Sequence, residues 1–186
     1  GTPQLDADAF ATALESLGAA LYVTAGREGI EAEGECLPGD SAAVAKLLAS
    51  AVLDPVFAPA ELEKQRRIQL GTIRTRCDDW HSEAMLHFNR ALFGGHPYAM
   101  PDEGESNVVA RFLRDDLAAF HRRLIQPSNM VVTVAGAFDP GAMRALLDTL
   151  FGRVTASAPP LPVCAVWTPP LTNSMRIVPV PRAQAT

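Results

Sequence analysis

Helical spacing of apolar residues dominates the chain, and the pattern predicts seven helices. They are expected at about residues 7–17, 41–53, 59–76, 80–93, 107–112, 115–124 and 140–150. Asp6 or Asp8 can cap the first of them, and Asp40 or Ser41 can cap the second. In the fourth helix Met85, Phe88 and Leu92 form one apolar stripe. Helices therefore account for most of the predicted structure.

A β-hairpin is predicted directly after the first helix. Residues 20–24 and 29–37 are prone to form strands, and residues 25–28 read as the turn between them. In the second run apolar or small residues alternate with Glu31, Glu33 and Glu35, so all three glutamates share one face. Such alternation is typical of a sheet with one covered face and one polar face.

Two further strands are predicted in the second half of the chain. Residues 129–136 are almost continuously apolar, which fits a central strand buried on both faces. Residues 175–180 fit an edge strand, because Pro179 cannot donate a hydrogen bond to a ladder. Strands separated by helices in this order predict an α+β fold rather than a doubly wound parallel sheet.

The predicted elements divide the chain into three parts. Residues 1–152 form the main α+β domain, residues 153–174 form a connection with five prolines, and residues 175–186 begin a following strand segment. The chain starts at Gly1 without a methionine and stops at Thr186 in that strand segment. We therefore expect both ends to be cut from a longer polypeptide, and the sequence leaves periplasm and cytoplasm equally open.

Composition excludes several classes of protein. A net charge of −5 argues against a nucleic-acid partner, because phosphate groups need a cationic surface. No apolar run approaches the length of a membrane-spanning helix. The three cysteines, Cys36, Cys77 and Cys164, are too few and too widely spaced for a disulfide framework or a zinc ribbon.

The histidines do not form a recognisable catalytic motif. His81 and His87 flank Glu83, but at six residues apart they diverge by roughly 120° on a helix, where a zinc helix needs both on one face. His96 lies in a turn without a carboxylate or cysteine beside it, and His121 is most simply a surface residue. The many cations of the third helix are interpreted as a solvated outer face. Taken alone, these residues predict an α+β domain without an active site of its own.

Several landmarks occur in the order found in a known family. The chain resembles the pitrilysin/insulinase zinc peptidases and the related mitochondrial processing peptidases over about residues 1–153. The matching stretches are Gly1-Thr2, Leu14–Ala19, Cys36-Leu37-Pro38, Asp54–Phe57, Glu61–Lys64, His96-Pro97-Tyr98 with Gly104, Pro127–Met130 and Leu150–Gly152. Each is weak alone, and their shared order makes the resemblance strong.

The resemblance implies a LuxS/processing-peptidase-like α+β domain with a mostly antiparallel sheet packed against helices. Several such domains assemble into a chamber around an extended peptide substrate. Catalysis in this family uses an HxxEH helix whose two histidines bind zinc, and a glutamate from a later long helix is the third ligand. Zinc then lowers the pKa of its bound water to about 7, which makes the water a nucleophile.

This sequence departs from the family pattern at the zinc ligands. HxxEH would lie just before Gly1, and the third-ligand position falls at about Thr72. No carboxylate occurs from Lys64 to Cys77, and Glu63 lies roughly 13 Å away along a helix. Arg74 and Arg76 would in addition repel a metal ion. We therefore expect no zinc on this chain and no catalysis by it alone, with the zinc held by a sister domain or subunit that bears HxxEH.

The leading hypothesis is a non-catalytic domain of a zinc metallopeptidase that helps to form the substrate chamber. In it, the hairpin strand formed by Leu21, Tyr22, Val23 and Thr24 either offers an edge with which an extended peptide pairs or is a plain structural edge, and both interpretations stay open. His96-Pro97-Tyr98 is interpreted as a structural turn. Two alternatives stay open. The chain is a fragment of a catalytic domain with HxxEH just upstream, or it is a scaffold subunit without enzymatic function.

Overall fold

The computed structural model describes residues 1–155, 166–168, 173, 175 and 177–179. The described part contains seven α-helices, one β-hairpin and three short 3-10 turns. The helices are α1 (Ala7–Ser16), α2 (Ser41–Leu53), α3 (Pro59–Asp78), α4 (Trp80–Phe93), α5 (Ser106–Val109), α6 (Arg114–Leu124) and α7 (Pro140–Phe151). The strands are β1 (Ala20–Ala25) and β2 (Ile30–Glu35). The 3-10 turns are Pro38–Asp40, Pro97–Ala99 and Pro127–Asn129.

Aspartate side chains cap three of the helices. Asp6 accepts from the Ala9 amide at 2.8 Å before α1, Asp79 accepts from the Ser82 amide at 2.8 Å before α4, and Asp139 accepts from the Ala142 amide at 2.7 Å before α7. The hydrogen bonds from Ser82 hold the pKa of Asp79 below its usual value. Asp40 instead belongs to a 3-10 turn, and its side chain makes no capping bond to α2. Local capping chemistry therefore sets most helix starts.

The hairpin forms as predicted, with β1 and β2 antiparallel and Tyr22 opposite Glu33. The face that carries the three glutamates is exposed to solvent. On the other face, a Cβ atom at Gly34 would lie 3.1 Å from Cγ1 of Val44, so α2 packs closely against the base of the hairpin. The hairpin is thus fixed to the helical layer at its base.

The buried apolar residues lie in two groups. Val44 and Ala49 of α2 are buried with Met143 of α7, and the other group lies among α3, α4, α5 and the 3-10 turn Pro97–Ala99, with Ile73, Leu86, Ala99 and Val109. The stripe predicted for α4 is not the buried one, since Leu86 is in the core while Met85 and Phe88 are exposed. Helical periodicity predicted α4 correctly, and apolar residues lie on more than one side of this helix.

The predicted central strand at residues 129–136 is not a strand of a sheet here. Asn129 ends a 3-10 turn, and the following residues are extended but pair with no strand among the described residues. Val131 is 91% exposed, which contradicts burial on both faces. The α+β class is confirmed, with a two-stranded sheet in the described part of the chain. Most of the predicted connection at 153–174 and of the strand at 175–180 lies outside the described residues.

Candidate functional site

The outer edge of β1 is open to an added strand. Gly26 donates to the Gly29 carbonyl at 2.9 Å in the turn, and hydrogen-bonded pairs alternate along an antiparallel ladder. The peptide groups of Leu21 and Val23 therefore point away from β2. Within the described residues no further backbone hydrogen bond engages them. The same alternation applies to Ala25 at the end of β1, so three residues of this strand present donors and acceptors that pair with no other described strand.

The open edge of β2 is less suited to pairing. The peptide groups of Ile30, Ala32 and Gly34 point outward there by the same alternation. Glu31, Glu33 and Glu35 lie on this strand, whereas β1 carries no charged residue. Charged side chains on an edge strand oppose strand addition. The four residues predicted to bind peptide, Leu21 to Thr24, are therefore on the more accessible of the two edges.

Arg27 anchors the tip of the hairpin to a loop far away in sequence. Its Nη1 donates to the Tyr98 carbonyl at 2.9 Å and to the Met100 carbonyl at 3.4 Å, and its Nη2 lies 3.0 Å from Oδ1 of Asp102. The guanidinium also lies 5.6 Å from the centre of the Tyr98 ring. With the hairpin held at base and tip, the edge of β1 between them is a rigid surface.

The His96-Pro97-Tyr98 segment positions the carbonyl that Arg27 binds. Nδ1 of His96 accepts from the Tyr98 amide at 3.2 Å, which caps the 3-10 turn Pro97–Ala99. The Tyr98 ring packs edge-on against Phe93 at 5.5 Å and against His96 at 4.9 Å. This imidazole thus accepts a hydrogen bond from a backbone N–H in a packed turn, which is a structural arrangement.

The position where the family places its third zinc ligand offers no ligand set. Thr72 is exposed, and its hydroxyl donates to the Ile68 carbonyl at 3.2 Å. One turn further, the Arg76 guanidinium lies 3.1 Å from Glu83 and 3.5 Å from Glu103. Among the described residues no three His, Cys, Asp or Glu side chains lie together in a way that could hold a metal. The residues present around Thr72 do not fit a zinc ion.

The cations of α3 divide between two sides of the helix. Lys64, Arg67 and Arg74 are exposed, in line with a solvated outer face, whereas Arg66 and Arg76 are half-buried and depart from that interpretation. Arg66, Gln69, Ile73 and Arg76 share one helical stripe and are buried or half-buried. Arg66 donates to the carbonyls of Val109 and Phe112 at the end of α5, and Gln69 donates to the Glu103 carbonyl at 2.8 Å. Leu62 and Leu70 are half-buried beside Ile73, so apolar spacing marks this side of α3 but does not reveal that Arg66 and Gln69 are part of it.

The histidines have separate environments. His81 is exposed and packs edge-on against Trp80 at 5.7 Å, and His87 is half-buried in the next turn. His121 is not a simple surface residue, since its Nε2 donates to the Val52 carbonyl at 2.7 Å and its ring lies 5.8 Å from Phe57. This bond joins α6 to α2 across 69 positions. No sequence signal at His121 indicates that distant partner.

Two of the three cysteines lie among the described residues. Cys36 is half-buried and Cys77 is exposed, and Cys164 lies outside the described residues. None of the helices in the described part combines the length and apolar character that a membrane span requires.

Comparison with known proteins agrees with the family resemblance. Residues 111–185 match the family described as the peptidase M16 inactive domain. An uncharacterised zinc protease of Mycobacterium leprae is 34% identical across 81% of this chain and 35% of its own length. This chain therefore spans about a third of that relative. The chain belongs to the M16 peptidase family and carries its inactive type of domain.

Solved structures support the fold. The peptidase M16 inactive domain of Pseudomonas fluorescens superposes with a TM-score of 0.82 at 22% identity, covering 90% of this chain and 41% of that one. The first half of the periplasmic protease PqqL of Escherichia coli superposes with a TM-score of 0.72 at 18% identity, covering 90% of this chain and 37% of that one. The predicted resemblance and the α+β fold are confirmed.

Proposed function

We propose that residues 1–186 are a non-catalytic domain of a longer zinc metalloprotease, called here the parent protein, in which they form a wall of the substrate chamber. An extended peptide binds in the chamber by pairing with β1, and a sister domain or subunit with HxxEH holds the zinc. The open peptide groups of Leu21 and Val23 are the observation that carries this proposal.

Backbone pairing suits a protease that handles extended peptides. Main-chain hydrogen bonds supply affinity without regard to sequence, and the side chains of the edge strand add selectivity. Tyr22 and Val23 are 54% and 67% exposed, so both can contact a peptide without rearrangement. The anchors at Arg27 and Gly34 keep the strand extended before the peptide arrives, which lowers the entropic cost of binding.

A matched pair of proline substitutions tests this edge in the parent protein. In Val23→Pro the missing N–H points outward, so the β1–β2 ladder stays intact while an incoming strand loses one hydrogen bond. We expect the KM for an unstructured peptide to rise about fivefold with little change in kcat, since one hydrogen bond is worth about 1 kcal/mol.

Two controls isolate the backbone effect. Ala32→Pro makes the same change on the outer edge of β2, directly opposite Val23, and is expected to leave KM unchanged. Val23→Ala removes the side chain but keeps the N–H. The proposal is wrong if Val23→Pro and Ala32→Pro give the same KM while circular dichroism shows both variants folded.

The two alternative functions give different results in the same protein. If HxxEH lies immediately upstream of Gly1, the chain is part of a catalytic domain with an unusual third ligand. If deletion of residues 1–186 leaves peptide cleavage by the parent protein unchanged, the domain is a scaffold without a part in proteolysis. The absence of a carboxylate from Lys64 to Cys77 favours the non-catalytic domain over the first alternative.

A further inference from the structure

Trp167 binds the end of α4, although it lies beyond the end of α7 in the sequence. Its indole Nε1 donates to the Leu92 carbonyl at 3.1 Å, and its ring lies 5.2 Å from the ring of Phe93. Carbonyls in the last turn of a helix lack partners within that helix, so the indole satisfies one of them from 75 positions away. Val166 and Thr168 on either side are exposed, whereas Trp167 is half-buried. Among residues 166–168, the tryptophan side chain is therefore the part that docks.

Phe93 joins this tryptophan to the 3-10 turn Pro97–Ala99. The Phe93 ring packs edge-on against Tyr98 at 5.5 Å and lies 6.2 Å from the ring of His96. Aromatic rings attract one another at such separations, and the attraction depends on their relative orientation. A shift of the Phe93 ring is therefore felt by both aromatic residues of the turn.

The turn and the residues that follow it hold the tip of the hairpin. The carbonyls of Tyr98 and Met100 accept from Nη1 of Arg27, and Asp102 pairs with Nη2. A guanidinium presents its donors in a rigid fork, so it needs these acceptors in fixed positions. The contacts thus run without a break from the tryptophan to the tip of the hairpin.

We propose that Trp167 is a positioning residue for the hairpin. Docked against α4, it holds the turn Pro97–Ala99, and through that turn the Arg27 anchor, in the conformation that keeps the tip fixed. Withdrawal of the indole from Phe93 loosens the tip and leaves the base of the hairpin, at α2, in place. A movement of the parent protein that pulls Trp167 away is thereby transmitted to β1. The consequence for peptide binding rests on the proposed function, whereas the link from Trp167 to the tip does not.

Fluorescence tests the docking of the indole. The chain has two tryptophans, and the other one, Trp80, is 69% exposed. Trp80→Phe therefore reports the emission of Trp167, and Trp167→Phe reports that of Trp80. We expect Trp167 to emit at shorter wavelength and to be quenched less by iodide, because its indole is partly shielded from solvent. Equal emission maxima and equal quenching of the two would overturn the proposal.

Hydrogen exchange of the 186-residue chain tests the link to the hairpin. The Met100 amide in the turn and the Gly26 amide at the tip both donate to backbone carbonyls. Trp167→Ala should speed exchange at both amides about tenfold, since local opening no longer breaks the indole contacts. The amides of residues 46–50 in α2 should be unchanged. An equal increase in α2, or no increase at Gly26, would show that Trp167 does not position the tip.

Trp80→Ala is the matched control. Trp80 is the first residue of α4, and its ring packs against the neighbouring His81. Its removal should leave exchange at Met100 and Gly26 unchanged, and the same increase as in Trp167→Ala would contradict the proposal. Trp167→Leu removes the indole N–H and the aromatic ring but keeps an apolar side chain. It should show the same local increase, so the test stands even if Trp167→Ala does not fold.

Arg27→Ala tests the route of the contacts. Residues that act through one network have non-additive effects. Trp167→Ala should therefore speed exchange at Gly26 in the presence of Arg27 and add nothing in the Arg27→Ala background. Exchange at Met100 should rise in both backgrounds, because the turn contacts Phe93 directly. Fully additive effects at Gly26 would mean that the tip is not reached through Arg27.

Peptide cleavage by the parent protein separates this inference from the proposed function. We expect Trp167→Ala to raise the KM for an unstructured peptide about threefold with little change in kcat, because a loose strand must be ordered by the peptide. If Trp167→Ala loosens the tip while Val23→Pro leaves KM unchanged, the proposed function is wrong and the positioning role holds. If Val23→Pro raises KM while Trp167→Ala leaves exchange at Gly26 unchanged, the positioning role is wrong and the proposed function holds.

Discussion

At the scale of single residues, Arg76 joins three parts of the molecule. Its guanidinium, on α3, contacts Glu83 on α4 and Glu103 in the loop before α5, and its side chain is only 11% exposed. We expect Arg76→Ala to lower the free energy of unfolding by about 2 kcal/mol, because two partly covered carboxylates lose their cation. Urea denaturation monitored by circular dichroism measures this change.

Arg74 is the matched control for Arg76. It lies on the same helix two positions earlier, its side chain is exposed, and it makes no ion pair with the described residues. Arg74→Ala should change stability by no more than about 0.5 kcal/mol. Similar losses for both variants would mean that helix propensity or net charge, rather than the pair of glutamates, sets the effect.

At the scale of elements, the sequence predicts those structures that are determined by residues close together along the chain. The hairpin could be predicted because its turn glycines and its alternating glutamates are local signals, and so could the edge of β1 as a candidate site. The contact that anchors this edge could not be predicted. Arg27 and the Tyr98 carbonyl are 71 positions apart, and no local sequence signal at either residue indicates the contact.

The errors at the element scale have a common cause. Residues 129–136 have the composition of a buried strand, but pairing requires a partner strand, and none is present among the described residues. The interpretation of the α3 cations was wrong for two of them, because Arg66 binds backbone carbonyls and Arg76 binds carboxylates instead of facing solvent. Propensity describes a segment, whereas pairing and docking depend on the rest of the protein.

Gly71 is a weak point in the longest helix. It lies inside α3, and a Cβ atom there would meet nothing within 4 Å. Gly71→Ala should therefore raise the free energy of unfolding by about 0.5–1 kcal/mol, because alanine loses less backbone entropy in a helix. Thermal or urea unfolding of the isolated chain shows whether the midpoint rises.

The comparison for Gly71 is Gly94, which follows α4 with φ at +57° and also has an open Cβ position. Gly94→Ala should lower stability by about 1 kcal/mol, since an L-residue is strained in the left-handed region. A loss of stability in Gly71→Ala, or a gain in Gly94→Ala, would show that open space rather than backbone conformation determines these substitutions.

At the scale of the whole molecule, zinc binding separates the functional hypotheses. A tetrahedral zinc site needs at least three protein ligands, and no such group occurs among the described residues. We expect titration of the isolated chain with zinc chloride in a calorimeter to show no saturable binding at micromolar concentrations. Stoichiometric binding that disappears in His81→Ala and His87→Ala would contradict this expectation, and Cys77→Ser measures any contribution of the exposed thiol.

Thr72→Glu in the parent protein extends the same argument to the missing ligands. The substitution restores a carboxylate at the position where the family has its third zinc ligand. If a sister domain holds the zinc, the added carboxylate has no histidines beside it, and we expect the zinc content and affinity of the parent protein to stay unchanged. If HxxEH instead directly precedes Gly1, the same carboxylate completes a three-ligand site and zinc binds more tightly. Competition with a chelator measures the affinity, and a gain in Thr72→Glu would reassign the chain from a non-catalytic wall to part of a catalytic domain.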